Sequence, residues 1–179
     1  MKFFSLVSLA AIALLAVGCS TAPKSEGDKL DMDNDVAKAM ASFRKADPNI
    51  DAFLAKAHGY AIFPSVGKGA VGVGGAYGKG EVFEHGRKVG YCDLSQATIG
   101  LALGGQAYSE LIAFETAAAL EKFKSGNFAF SAQASAVALK SGATANAKYT
   151  DGVAVFTTGE AGLMYEASIG GQKFSYKPL

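Results

Sequence analysis

The sequence predicts an α+β fold: a curved antiparallel β-sheet or partly open barrel of about seven to nine strands, with two N-terminal helices and one inserted helix. Two observations lead to this prediction. Apolar and small residues alternate through most of the chain after Gly59, which is typical of half-buried strands. Helical periodicity is confined to residues 36–57 and to a short segment at 116–125. The 179 residues are enough for one domain with a hydrophobic core.

The N-terminus has the pattern of a secretion signal. Lys2 supplies a positive charge. The run from Phe3 to Val17 is apolar except for two serines, and it is shorter than the segment that a membrane-spanning helix needs. The run ends at Gly18 and Cys19, and this ending resembles a bacterial lipobox, where the cysteine becomes acylated. We therefore expect a signal peptide at residues 1–18 and lipid on Cys19. An ordinary signal followed by an incidental cysteine is the alternative.

Residues 19–34 have the composition of a flexible tether. They contain a proline, a glycine and mixed charges, but few residues that would enter a core. Ser20 is not aspartate, and in bacteria that sort lipoproteins by this position the outer membrane is then implied. We therefore expect a lipid-anchored protein of the cell envelope, facing the periplasm, whose folded domain spans residues 35–179.

Two helices are expected before the sheet. Val36, Met40 and Phe43 lie at helical spacing on one face. Asp47 and Pro48 predict the start of a second helix, with aspartate at the N-cap and proline in the first turn. Such apolar faces either cover a sheet or lie on a membrane, and we favour packing on the sheet. The second face consists of Ile50, Phe53, Leu54 and Ala57.

A glycine-rich stretch from His58 to Gly80 dominates the middle of the chain, with eight glycines among strand-forming residues. Glycine weakens a strand, so this density predicts bends, bulges or close approach of another backbone. The stretch contains the spacing G-x-G-x-x-G, but β-like alternation follows it where a nucleotide site needs a helix. We therefore expect a structural role first. The glycines expected to be sterically constrained are Gly74, Gly75, Gly78 and Gly80.

The later segments read as strands and one helix. His85, Gly86 and Arg87 predict a hairpin turn between two strands. Thr116 predicts the start of the inserted helix, which Ser125 and Gly126 would end. Residues 128–139 alternate like a strand but are rich in alanine, so strand and helix both remain open there. A turn is expected at Gly170 and Gly171, before the last strand.

Residues that carry chemistry are sparse. The sequence has no common metal-ligand, nucleophile or calcium-loop motif, and its carboxylates are scattered, so we expect no enzyme, no metal site and no cofactor. His58 and His85 are expected to be solvated at a helix end and a turn. If Cys19 is acylated, Cys92 has no disulfide partner and is expected in the core. Removing Lys2 with the signal leaves equal numbers of basic and acidic residues, which argues against nucleic acid as a partner.

The glycine-rich stretch also resembles the opening of the SYLF domain. The similar features are an apolar strand ending in Phe63-Pro64, a Lys-Gly pair, Gly74-Gly75 and the run Tyr77-Gly78-Lys79-Gly80. The resemblance continues to the C-terminal strands and covers roughly residues 35–177. It implies a module that binds lipid, since members of this family are associated with phosphoinositide-type lipids and some eukaryotic members with actin. The actin role belongs to cytosolic proteins and transfers poorly to a secreted lipoprotein.

Two functions follow as expectations. In the first, a SYLF-like domain on an outer-membrane anchor binds anionic phospholipid or another anionic envelope component. In the second, an envelope enzyme or small-molecule carrier uses a pocket in the curved sheet. An exposed apolar rim with basic residues would favour the first function, and a convergent set of buried polar side chains would favour the second. The basic residues expected to contact lipid are Lys68, Lys79, Arg87 and Lys88.

Overall fold

The computed structural model contains a mixed β-sheet with helices against both of its faces. It describes residues 21–71, 73–99, 104–126, 128–131, 135–159 and 166–179. In these ranges the helices are α1 (Glu26–Ala46), α2 (Ile50–Leu54), α3 (Ala117–Lys124) and α4 (Ala143–Asn146). The strands are β1 (Gly59–Val71), β2 (Val73–Glu84), β3 (Arg87–Ile99), β4 (Gly104–Phe114), β5 (Ser135–Ala138), β6 (Val153–Gly159), β7 (Glu166–Ser168) and β8 (Lys173–Pro178).

The strands lie in the order β7-β5-β6-β4-β1-β2-β3-β8. Neighbouring strands are antiparallel except β5 and β6, which run parallel. A parallel pair needs a crossover connection, and the segment that contains α4 provides it. The predicted α+β class with a curved sheet and an inserted helix is confirmed, and the parallel pair is the departure from a wholly antiparallel sheet.

Residues 128–131, which we call the closing segment, lie beside the start of β8, at one edge of the sheet. Ala129 forms an isolated antiparallel bridge with Lys173 at the start of β8. Phe130 donates its amide to the carbonyl of Gln172 at 3.2 Å and accepts from the amide of Gly171 at 3.2 Å. The chain then continues to β5, beside β6 and β7. The alanine-rich segment is therefore extended at both of its described ends, and the sheet curls around its inner face.

The inner face carries the larger core. It is built from β1–β4, β6 and β8, and α3 and the closing segment cover it. Phe174 stands at its centre, with its ring near those of Phe63, Phe123, Phe128 and Phe130. Cys92 is fully buried in the same core, as predicted. In the described part of the chain, no helix is both long enough and apolar enough to cross a membrane.

The outer face is covered by α1, which packs on it through Val36, Met40 and Phe43, as their spacing predicts. The helix begins earlier than expected, within residues 19–34. Its start is fixed by a capping box, because the Ser25 side chain accepts from the amide of Asp28 at 3.1 Å and the Asp28 carboxylate accepts from the amide of Ser25 at 3.1 Å.

The expected tether is therefore largely part of the domain. Thr21 also contacts it, since its hydroxyl lies 3.2 Å from that of Ser175 in β8. From Glu26 onward these residues are helical. The predicted signal peptide and Cys19 lie outside the described residues.

The second helix begins at Ile50 with Asn49 at its N-cap, so the assignment of Asp47 as N-cap is wrong. Asp47 instead ends α1, where its amide donates to the carbonyl of Phe43 at 2.9 Å. The Asp-Pro pair that predicts a helix start is equally compatible with a helix end, because helical backbone geometry is disfavoured at the residue before a proline.

Glycines in β2 lie where a side chain would meet another backbone. A Cβ on Gly80 would clash with the carbonyl oxygen of Ile62, and one on Gly78 would lie 3.0 Å from the carbonyl oxygen of Ser65. A Cβ on Gly75 would lie 3.1 Å from the carbonyl oxygen of Gln96. The structural role predicted for the glycine-rich stretch holds at these three positions, and Gly74 also lies within β2.

The β2–β3 hairpin has a two-residue turn. His85 and Gly86 have positive φ values of 48° and 76°, as a type I′ turn requires. Arg87 is therefore the first residue of β3 and not part of the turn.

Candidate functional site

An open cleft of about 490 Å³ lies between α1 and the outer face of the sheet. We call it the α1 cleft. Its walls combine two lysines, several hydroxyl groups and a few apolar side chains. They are formed by Met32, Asp35, Lys38, Ala39 and Ser42 of α1, and by Pro64, Ser65, Lys79, Ala107, Tyr108, Ser109, Thr158 and Gly159 of the sheet.

A bulge in β1 forms the floor of the α1 cleft. The register of β1 shifts around Pro64 against both of its neighbours, β2 and β4. Proline lacks an amide hydrogen for the ladder, which makes it a natural position for such an irregularity. The carbonyl that the bulge frees is satisfied by the hydroxyl of Ser109 at 2.7 Å. Ser65, Ser109 and Lys79 thus line the same cleft.

The charges in the α1 cleft are mostly cationic. Lys38 projects from α1 with 77% of its side chain exposed and pairs with Asp35 at 3.0 Å. Lys79 enters from β2, opposite Ser65. The exposed ion pair between Lys38 and Asp35 is weak, so a more strongly binding anion can replace Asp35 as the partner of Lys38. The cleft can therefore offer ammonium and hydroxyl groups to a phosphate or carboxylate, and the methylene and methyl groups of Met32 and Ala39 to an apolar chain.

The four basic residues predicted from the sequence do not form one patch. Lys79 lines the α1 cleft, whereas Lys68 lies farther along β1, opposite Ala76. Arg87 is exposed at the start of β3 and pairs in register with Glu84. Ala76 and Glu84 are eight residues apart on β2, which is roughly 26 Å at about 3.3 Å per residue. These basic groups are spread along the sheet.

Lys88 forms an ion triad with Asp33 of α1 and Glu81 of β2. Its ammonium lies 3.1 Å from the Glu81 carboxylate and also bonds to Asp33. Burial and the hydrogen bond to Asp33 raise the pKa of Glu81 to about 7. Burial opposes the charge on Lys88, but hydrogen bonds to Asp33 and Glu81 raise its pKa to about 12. Lys88 therefore holds α1 on the sheet, and its charge is already compensated.

A second cluster lies on the opposite side of the β2–β3 hairpin. Nε2 of His58 is 3.0 Å from Oε1 of Glu84, and the rings of His58 and His85 have centroids 4.5 Å apart. Lys124 of α3 binds the other carboxylate oxygen of Glu84 at 2.9 Å. Hydrogen bonds from Lys124 and then His58 lower the pKa of Glu84. The sequence did not reveal this cluster, because His58 and Glu84 meet only through the register of β1 and β2.

The inner face contains an interior polar set: Tyr108, Glu110, Thr157 and Gln172. The side-chain amide of Gln172 donates to Oε2 of Glu110 at 3.0 Å and to the Tyr108 hydroxyl at 3.3 Å. Burial raises the pKa of Glu110 to about 7, although the hydrogen bonds from Gln172 and Tyr108 oppose this shift. Among the described residues, Oε1 of Glu110, Oγ1 of Thr157 and Oε1 of Gln172 find no hydrogen-bond partner. Fully buried polar atoms of this kind normally bind water or a ligand.

The chain is similar in part to a longer known protein. No protein-family model matches the chain. Beta cell expansion factor A from Aeromonas veronii is 32% identical over 130 residues, which cover 71% of this chain and 49% of that protein. The chain thus spans about half the length of this curated relative.

Proposed function

We propose that this protein is a lipid-anchored protein of the cell envelope whose folded domain binds anionic phospholipid, or another anionic envelope component, in the α1 cleft. The observation that carries the proposal is the joint presence of Lys38, Lys79, hydroxyl groups and apolar side chains in one open cleft. The resemblance of the glycine-rich stretch to the SYLF domain supports it. No catalytic step is part of this proposal.

Anchoring at Cys19 would hold the domain close to the membrane. Thr21 lies two residues after Cys19 and contacts Ser175 of β8. The described part of the domain therefore begins beside β8. Multiple acyl chains anchor a protein stably, whereas one chain gives only marginal binding.

The anchor is tested by fractionating cells that express Cys19→Ser, with Ser20→Ala as the control. We expect Cys19→Ser to move to the soluble fraction and Ser20→Ala to stay with the outer membrane. Identical fractionation of Cys19→Ser and the wild type would show that the cysteine carries no anchor.

Lipid binding is tested by vesicle flotation with the chain from Ser20 onward, which lacks the apolar N-terminal run and Cys19. We compare phosphatidylglycerol with phosphatidylcholine vesicles at low and high salt. The test variant is Lys38→Gln/Lys79→Gln, and the control is Lys45→Gln/Lys56→Gln, which removes two exposed charges elsewhere. Each basic residue near an anionic surface contributes roughly 1 kcal/mol, so the test variant should bind roughly 30-fold more weakly than the wild type.

Three results would argue against the α1 cleft. Equal loss in the test and control variants would mean that only net charge matters. Binding that is indifferent to salt would point to apolar contact. Loss in Lys68→Gln/Arg87→Gln, with Lys38→Gln/Lys79→Gln unaffected, would place the lipid at the other predicted basic residues.

The interior polar set favours a second candidate, a carrier of a small polar molecule. Its three unpartnered oxygens suit a ligand with hydrogen-bond donors. Native mass spectrometry of the protein purified from its own envelope tests this candidate. A bound small molecule that is lost in Glu110→Gln, in a protein that does not float with vesicles, would favour the carrier over lipid binding.

A further inference from the structure

We propose that His58, Glu84 and His85 form a binding site for a divalent transition-metal cation of the Zn²⁺ type. One ligand atom from each residue lies within 4.8 Å of the other two. Zn²⁺ binds histidine nitrogen and carboxylate oxygen at about 2.0–2.2 Å, so tetrahedral ligand atoms lie roughly 3.3 Å apart. His58 Nε2 and Glu84 Oε1 are already 3.0 Å apart, and a rotation of the His85 ring would complete the set.

The backbone fixes all three residues near one another. His58 donates its amide to the carbonyl of Phe114 at 2.8 Å, and its own carbonyl accepts from the amide of His85 at 3.3 Å. Glu84 is the last residue of β2 and pairs in register with Gly59. His85 occupies the first position of the tight turn. The ligands thus come from a hairpin end and the adjoining start of β1, and a cation would need only side-chain adjustment.

Lys124 leaves the carboxylate available to a cation. It binds Oε2 of Glu84 at 2.9 Å, whereas Oε1 faces His58. The ammonium is itself held by Glu121 at 3.0 Å, so it can remain as an outer hydrogen bond that orients the ligating carboxylate. A second carboxylate near the ammonium also reduces its repulsion of a cation.

The ligand set determines which cation fits. Two imidazoles and one carboxylate suit Zn²⁺, Cu²⁺ or Ni²⁺, whereas Ca²⁺ and Mg²⁺ prefer oxygen ligands throughout. Three protein ligands leave a fourth position for water or an external group. The side chains of His58 and Glu84 are 23% and 28% exposed, so a cation can reach them from solvent.

His58 and His85 are the only histidines in the sequence, so every imidazole signal in an NMR spectrum comes from the proposed site. Tag-free full-length protein is treated with EDTA, dialysed and titrated with ZnCl₂ by calorimetry, and the two imidazole Cε1–H signals are followed by NMR. We expect saturable binding of one Zn²⁺ per chain that shifts both imidazole signals. An excess of Mg²⁺ should not displace it.

The variants His58→Gln, His85→Gln and Glu84→Gln should each weaken binding about tenfold or more. The control Glu26→Gln, which removes an exposed carboxylate of α1, should bind within about threefold of the wild type. Urea unfolding of each variant confirms that the fold is retained. The proposal is overturned if Zn²⁺ binding is not saturable, if it survives in both histidine variants, or if only one imidazole signal responds.

Discussion

Thr144 donates two hydrogen bonds to the buried carboxylate of Asp47, from its amide at 2.9 Å and from Oγ1 at 2.7 Å. The amide of Asn49 donates to the other carboxylate oxygen at 3.1 Å. This contact joins the end of α1 to α4 across 97 residues of sequence. Burial opposes the charge of Asp47, but the hydrogen bonds from Thr144 and Asn49 prevail and hold its pKa below the usual range.

We predict that Asp47→Asn destabilises the domain by about 1–3 kcal/mol at pH 7, since an amide cannot accept all of these bonds. The pKa of Asp47 is lower in the folded than in the unfolded chain, so its contribution is fully present above about pH 4 and is lost as the pH falls below that. Urea unfolding at pH 7, 4 and 3 measures it. The difference between wild type and variant should shrink at pH 3, and a constant difference would contradict this account. Asp51→Asn, at an exposed ion pair, is the control.

Because Lys88 belongs to the ion triad and Arg87 does not, we predict that replacing Lys88 lowers the free energy of unfolding more than replacing Arg87. Lys88→Met leaves the carboxylate of Glu81 buried without its cation, which should cost about 1–3 kcal/mol after allowance for partial exposure of the triad. Arg87→Met changes an exposed residue and should stay within about 0.5 kcal/mol of the wild type. Thermal unfolding at pH 8 makes the comparison. Equal effects would mean that the triad does not hold α1 in place.

Glu110 should make the stability of the domain decrease as the pH rises, opposite to the effect of Asp47. Its pKa of about 7 in the folded protein lies above the value of 4.5 expected when exposed. Its contribution is therefore most favourable below about pH 4.5 and declines until the pH passes 7. Glu110→Gln should match the wild type at pH 4 and exceed its free energy of unfolding by on the order of 2 kcal/mol at pH 8. A variant that is less stable than the wild type at pH 8 would show that the ionised carboxylate is well solvated.

The glycine-rich stretch predicts a graded series of alanine substitutions. Gly80→Ala places Cβ against the carbonyl oxygen of Ile62 and should cost at least about 2 kcal/mol. Gly75→Ala, with a contact at 3.1 Å, should cost less. Gly67→Ala meets nothing closer than 4.0 Å and should be close to neutral. Chemical denaturation of the three proteins gives the order, and a destabilised Gly67→Ala would indicate that glycine is needed for another reason.

Local signals in the sequence predicted much of the fold. The turn at Gly170 and Gly171 located the last strand, β8. Thr116 and Gly126 marked the ends of α3, where Thr116 Oγ1 accepts from the amide of Ala119 at 3.2 Å. The start of α1 was missed because residues 26–34 are polar on nearly every side. The capping pair Ser25 and Asp28 was the signal that could have located it.

Features that depend on pairing between distant segments were not predictable in the same way. Lys88 reads as a solvated residue beside a turn, and its partner Asp33 lies 55 residues earlier. His58 and Glu84 are 26 residues apart and are adjacent only because β1 and β2 pair in one particular register. Pro64 is a sequence signal for the bulge that forms the floor of the α1 cleft, but the cleft also needs α1 to pack beside that bulge, which no local pattern predicts.

The position of β8 at the end of the strand sequence also sets the order in which the chain can fold. The hairpins β1–β2 and β2–β3 involve neighbouring residues and can form as soon as residue 99 is synthesised. The inner core can form only after β8 is synthesised. Phe174 of β8 packs against its other phenylalanines, and the carbonyl of Gln172 accepts the hydrogen bond from Phe130 of the closing segment. A chain that stops before residue 173 leaves β3 as an unpaired edge beside exposed aromatic rings, which is a template for aggregation. Such truncated chains would need a chaperone to remain soluble, whereas the complete chain covers this edge with its own last strand.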